Sequence, residues 1–220
     1  MTWLITVLLI GNSLTYSNDL PATFAAIAAL DGRRVEVAMA AEPNLALIDH
    51  LTGQSNALEV LQSRKWSFVV LQQGPTTTAI GRDSLIIWTR MFDEHIRRRG
   101  ARPALFMSWT PRARLERTDS AHDSFHSAAQ AVNGVFLPVG AAWRTALQLE
   151  PGLELYSGDD FHPSALGSYL AALVIYATLF ERDPRTLPPV ALHGSRRLQV
   201  PASTVRLLQR AAYEASLRSK

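Results

Sequence analysis

Short apolar runs alternate along this chain with longer segments of helical periodicity, and that alternation constrains the fold more than any other feature. A strand that is apolar on both faces belongs in a parallel sheet, and parallel neighbours need a crossover, usually a helix. The strands fall at Trp3–Ile10, Ser67–Leu71, Pro103–Trp109 and Gly134–Val139, with Arg33–Ala40 as an alternating second strand. Helices are predicted over Asn18–Leu30, Gln54–Arg64, Arg82–Arg99, Thr118–Asn133 and Ala141–Leu149. Pro163 opens a further helix to about Glu181, Leu187–Val200 is irregular or an edge strand, and Pro201–Leu217 is a closing helix. The expected class is α/β, with five parallel strands.

Composition narrows the possibilities. A chain of 220 residues suits one domain, 1–220, with a sizeable core, and 47% hydrophobic residues exclude wholesale disorder. The lack of cysteine excludes a disulfide framework, a thiolate nucleophile and a Cys-ligated metal site. A formal charge of +3 is too weak to argue for a nucleic-acid partner. Its densest basic run, Arg97–Arg99, reads as a cationic helix end before Gly100. The apolar start stops at Gly11-Asn12-Ser13, too short to span a bilayer and without the basic flank of a signal peptide. The expectation is a cytoplasmic protein with no membrane partner; the oligomeric state is not legible.

Ligands of such sheets bind beyond the carboxyl ends of the strands. The loops to search are Gly11–Asp19, Ala41–Gly53, Gln72–Gly81, Trp109–Thr118 and Pro151–His162. Ser13 stands between a strand and a helix, where a hydroxyl meets backbone N–H groups that can hold an oxyanion. A plain turn serine or helix cap fits the same spacing. It is not a Gly-x-Ser-x-Gly elbow, because Thr15 fills the last position.

A nucleophilic serine needs a histidine base and a carboxylate to orient it. Asp-x-x-His occurs three times: Asp119/His122, Asp123/His126 and Asp159/His162. The first two lie in a predicted amphipathic helix and read as a solvated face. His122 and His126 are spaced as metal ligands can be, but no His-Glu-x-x-His accompanies them. The third pair sits in a loop just before a long helix, at the expected end of the sheet. Asn12, His50 and Trp109 are candidate substrate contacts, although a satisfied structural histidine explains His50 better and core packing explains Trp109 as well.

Gly11-Asn12-Ser13-Leu14 resembles the first block, Gly-Asp-Ser-Leu, of the SGNH (GDSL-type) hydrolases, with Asn for Asp. Asp159 to His162, followed by Pro163-Ser164 and Gly167-Ser168-Tyr169-Leu170, resembles the last block, Asp-x-x-His-Pro, and its helix. Val69-Val70-Leu71-Gln72-Gln73-Gly74 falls where Gly-x-Asn-Asp is normal, and is similar to a divergent branch. The resemblance spans about residues 3–180. It implies a three-layer α/β/α sandwich with a flavodoxin-like sheet, and a serine esterase acting on a small-molecule or carbohydrate ester. Ser13 is then the nucleophile, His162 the base and Asp159 its orienting carboxylate, with no metal or organic cofactor.

Two departures concern the oxyanion hole. The second-block glycine corresponds to Asn44, whose N–H can still donate. The third-block asparagine corresponds to Gly74, so either Gln72 or Gln73 supplies the amide, beside the N–H of Ser13, or the hole has one donor fewer. One donor fewer costs about 3–4 kcal/mol in the transition state. Two other readings stay open at this point: a non-catalytic binding module on the same fold, and a phosphate or nucleotide binder using the Gly11–Thr15 loop.

Overall fold

The computed structural model describes residues 4–217, so the predicted start of the first strand at Trp3 lies outside the described residues. In chain order the elements are β1 (Ile5–Gly11), α1 (Ser13–Tyr16), α2 (Leu20–Leu30), β2 (Val35–Ala41), α3 (Leu47–Leu51), α4 (Ala57–Ser63), β3 (Phe68–Gln72) and α5 (Ala79–Arg98). There follow β4 (Arg102–Phe106), α6 (Thr118–Ala131), β5 (Val135–Leu137), α7 (Val139–Leu149), α8 (Ala165–Leu179), β6 (Leu192–His193), β7 (Arg196–Arg197) and α9 (Ala202–Leu217).

Strands β1 to β5 form a parallel sheet in the order β2-β1-β3-β4-β5. The central strands are apolar because both faces are covered: Val7, Leu8, Ile10, Val69, Val70 and Leu71 are fully buried. Helices α2, α7, α8 and α9 pack together as one layer, and α3 to α6 as the other. This is the flavodoxin-like three-layer sandwich that the resemblance implied. In that strand order the chain reverses direction of winding between β1 and β3, and the crevice above their carboxyl ends is where ligands of such sheets sit. The loops after β1 and β3 are those holding Ser13 and Gln72-Gln73.

Local signals explain where predicted boundaries moved. The helix expected from Asn18 starts at Leu20, because Asn18 and Asp19 both have φ of +53°, a left-handed step that breaks the first turn. The helix expected from Arg82 starts at Ala79, since the Thr78 hydroxyl accepts from the Gly81 N–H (3.1 Å) and caps it earlier. The helix expected over Gln54–Arg64 is shorter, and α3 forms inside the expected Ala41–Gly53 loop. Strand β4 ends at Phe106 rather than Trp109. The segment Leu187–Val200 holds a two-residue antiparallel ladder, β6 with β7, that does not join the main sheet. The arginine-rich end of α5 stops as expected, with Gly100 at φ +72°.

Helix α8 is apolar all round and buried along nearly its whole length, as befits a helix enclosed by α2, α7 and α9. It is capped by Ser164, whose hydroxyl accepts from the Gly167 N–H (3.1 Å). Gly167 has no alternative: a Cβ there would collide with the Leu155 carbonyl and the Trp143 ring. The segment before α8 is therefore held against a rigid helix start. Among the described residues no helix is long and apolar enough to cross a membrane.

Candidate functional site

Strand β1 ends at Gly11, and Asn12 caps the short helix α1 by accepting from the Leu14 N–H (3.2 Å). Ser13 is thus the first residue of a helical turn, with an N–H that has no intrahelical acceptor. The turn is fixed from below by Gln72. Its Oε1 accepts from the Asn12 N–H (2.9 Å) and from the Thr15 hydroxyl (2.8 Å). A side chain at position 11 would strike that Oε1, so Gly11 lets the two strands' ends approach. The Asn12 amide donates to the Leu45 carbonyl (3.0 Å) and ties the loop after β2 to the same turn.

On the opposite side, residues 157–162 form a closed turn. The Ser157 N–H donates to the His162 carbonyl (2.7 Å), and Tyr156 bridges to Pro163. Asp159 Oδ1 accepts from the N–H groups of Phe161 (3.0 Å) and His162 (2.8 Å) and from the Ser157 hydroxyl (2.8 Å). Its Oδ2 lies 2.6 Å from His162 Nδ1. The imidazole bond above all, then these other donors, holds the Asp159 carboxyl well below the usual carboxylate range. With that carboxylate ionised, the ring proton sits on Nδ1, and Nε2 is left to accept from the Ser13 hydroxyl at 2.9 Å. Ser13, His162 and Asp159 therefore form one hydrogen-bonded chain, assembled from loops 149 residues apart in sequence.

The chain opens onto a cleft of about 450 Å³ whose walls include Asn12, Ser13, Asn44, Leu45, Gln73 and Gly74, with Trp88 and Phe161 as aromatic sides. Asn44 has φ +62°, a conformation that asparagine tolerates better than most residues where the family pattern has glycine. Among the described residues the Asn44 N–H donates to no backbone carbonyl. Gln73 lines the cleft, with its Oε1 accepting from the Leu47 N–H (3.2 Å) and its Nε2 donating to the Thr76 hydroxyl (3.0 Å). Gln72 does not line it; its Nε2 is buried without a partner and its carbonyl is committed to the turn.

Two expected substrate contacts are corrected. His50 is fully buried. Its Nε2 lies 2.9 Å from the Gly11 carbonyl, which can only accept, so that nitrogen carries the proton and Nδ1 accepts from the Ser55 hydroxyl (2.6 Å). Burial lowers its pKa, in keeping with this neutral form. His50 supports the end of β1 from below and does not reach the cleft. Trp109 is also buried, stacked on Trp143 at 4.0 Å between centroids. Its indole N–H donates to the Phe161 carbonyl (2.9 Å), so it braces the turn that carries His162 and is no part of the cleft floor. His122 and His126 lie away from the site, and they are half-buried rather than wholly solvated. Their rings stack at 5.7 Å and both meet the edge of Phe136. No group of three or more metal-ligating side chains occurs among the described residues.

One positioning residue had no place in the sequence reading. The Asn18 amide donates to the Pro163 carbonyl (2.8 Å) and to the Ser168 hydroxyl (3.0 Å), joining the serine segment to the start of α8. No motif in the sequence marks it; its left-handed φ of +53°, which Asn adopts more readily than most residues, emerges only in the structure. Trp88 and Ser84 likewise reach the cleft only because α5 packs beside it.

A parallel sheet in the order 2-1-3-4-5, with a Ser-His-Asp chain over its β1/β3 crevice, defines a class of protein: the three-layer α/β proteins with a serine at the end of the first strand. No family model and no curated protein matches the chain. Solved structures do. A candidate SGNH hydrolase from Slackia heliotrinireducens is 27% identical, with a TM-score of 0.65 over 80% of this chain and 100% of its own. A DUF4886 family protein from Bacteroides uniformis is 18% identical, with a TM-score of 0.84 over 99% of this chain and 97% of its own. A lipase/acylhydrolase from Enterococcus faecalis is 17% identical, with a TM-score of 0.63 over 81% of this chain and 96% of its own. The likeness to the Slackia protein, at 27% identity, supports the SGNH hydrolase superfamily.

Proposed function

We propose that this protein is a serine esterase, and that it hydrolyses small carboxylic esters, carbohydrate O-acetyl groups among them, through an acyl-enzyme. The observation that carries the reading is the hydrogen-bonded chain Ser13 Oγ–His162 Nε2 (2.9 Å) and His162 Nδ1–Asp159 Oδ2 (2.6 Å), at the mouth of a cleft. Ser13 Oγ attacks the ester carbonyl carbon while His162 Nε2 takes its proton. The carbonyl oxygen becomes an oxyanion. The N–H groups of Ser13 and Asn44 and the Gln73 amide are the donors assigned to it, which fills the gap left by Gly74. Asp159 keeps the imidazole in the right tautomer and stabilises it when protonated. His162 then gives its proton to the leaving alcohol oxygen. Water, deprotonated by the same imidazole, attacks the acyl group and frees Ser13.

The test is labelling with a fluorophosphonate, mapping of the modified peptide, and turnover of phenyl acetate by wild type and Ser13→Ala. The expected label is on Ser13. The variant should lose ester turnover and keep its melting temperature within a few degrees, since a small hydroxyl is removed from an open cleft. Equal turnover by variant and wild type would sink the reading.

A further inference from the structure

Beside the Ser13 cleft, and sharing Pro75 with it as a wall, lies a second depression of about 290 Å³. The rest of its lining is Thr77, Thr110, Pro111, Arg114 and Arg117: two guanidiniums, two hydroxyls and no carboxylate. The arginines come from the turn Arg112–Arg117. Arg112 is committed to Asp160 (Nε to Oδ1, 2.7 Å). Among the described residues Arg117 pairs only with its exposed neighbour Glu116, at 3.8 Å. Arg114 forms no ion pair among the described residues, and its backbone is fixed by donation to the Pro111 carbonyl (2.8 Å). The Arg114 guanidinium, which has no ion pair among the described residues, and that of Arg117, paired with Glu116 only at 3.8 Å, are flanked by hydroxyls and suit a planar or tetrahedral oxyanion.

The strand order says on which side of the bond this depression lies. Along the carboxyl edge of the sheet the loops run after β2 (Asn44), β1 (Ser13), β3 (Gln73 to Thr77) and β4 (Thr110 to Arg117). The β4 loop is bound to the turn that holds His162. The Arg112 N–H donates to the Asp160 carbonyl (3.0 Å), and the Tyr156 hydroxyl to the Thr110 carbonyl (2.8 Å). The oxyanion donor Asn44 is on the far side of Ser13. His162 must return its proton to the leaving oxygen, so the alcohol departs on the imidazole side. Resting on the esterase reading, we infer that the leaving alcohol of the substrate carries an anionic group, a carboxylate, sulfate or phosphate, that docks on Arg114 and Arg117.

The test compares wild type with the double variant Arg114→Gln, Arg117→Gln on four esters. Phenyl acetate is neutral. Acetoxybenzoate and acetoxybenzenesulfonate carry the anion on the leaving phenol, and phenyl hemisuccinate carries it on the acyl group. The double variant should lose about tenfold in kcat/KM on the two esters with an anionic leaving group, the value of a charge-assisted contact that is partly solvated. Phenyl acetate and the hemisuccinate should stay within about twofold. An equal loss on all four, a loss on the hemisuccinate alone, or no loss overturns the proposal. Should wild type turn over none of the esters, the esterase reading falls by itself. Calorimetric titration of Ser13→Ala with acetoxybenzoate then decides the subsite: salt-sensitive binding removed by the arginine changes upholds it, and binding unaffected by them overturns it.

Discussion

Gln72 and Gln73 are neighbours with separate tasks, and the difference is one of side-chain direction. Successive residues of a strand point to opposite faces. Gln72 turns under the serine turn, where its carbonyl oxygen takes two hydrogen bonds and a Cβ at Gly11 would not fit. Gln73 turns to the cleft. Gln73→Ala is expected to lose roughly 10²–10³ in kcat with KM little changed, because an oxyanion donor acts mainly in the transition state. Gln72→Leu is expected to lower stability by about 1–3 kcal/mol, since it leaves the Asn12 N–H and the Thr15 hydroxyl buried without their acceptor. Urea melts and steady-state kinetics on both variants separate the two effects. A kinetic loss without a stability loss in Gln72→Leu would reverse the assignment.

At the scale of elements, the turn 157–162 behaves as a unit built around one carboxylate. Three donors from its own chain converge on Asp159, besides the imidazole. A carboxyl whose pKa is lowered by folding stabilises the folded state fully above its unfolded value, about 3.9 for Asp. That contribution is lost as pH falls through the folded value, which here lies well below the usual range. The stability advantage of wild type over Asp159→Asn should therefore shrink as pH is lowered from 5 towards 2.5. Denaturant melts across that range check it, and an advantage that grows on acidification would contradict the role given to Asp159. The turn itself was legible as a polar loop before a helix. Its bracing was not: Trp109 and Arg112 reach it from the loop after β4, and nothing in the local sequence marks a tryptophan as a brace rather than a cleft wall.

Across the whole molecule, the site joins the first strand to the start of α8, and the Asn18 side chain spans the join, beside the Ser168 hydroxyl, which donates to the Ser17 carbonyl (3.3 Å). Asn18 reaches Pro163 and Ser168 across 145 and 150 residues of sequence. Removing it leaves the chain's chemistry intact but loosens the distance between Ser13 and His162. Asn18→Ala is expected to lower kcat by about tenfold with a smaller change in KM, because small misplacements of reacting groups are costly. It should also raise hydrogen exchange in residues 157–164. A kcat loss without faster exchange there would mean that Asn18 acts by another route.

The sequence alone determined the sheet and the identity of the site's loops. Apolar runs of strand length, each followed by a helical period, leave few arrangements other than a parallel sheet, and such sheets present their loops at one edge. Gly11-Asn12-Ser13 and Asp159 to His162 were readable because a turn, a cap and a helix start are local events with local residue preferences. The tertiary structure decided what local preference cannot encode. It set which of two adjacent glutamines meets the cleft, since strand twist and neighbouring loops fix that direction. It buried His50 and Trp109, since their surroundings come from distant segments. It also placed Asn18 against α8 and set Arg114 beside the cleft, because contacts across a hundred residues depend on how layers pack and leave no trace in the spacing of a few residues.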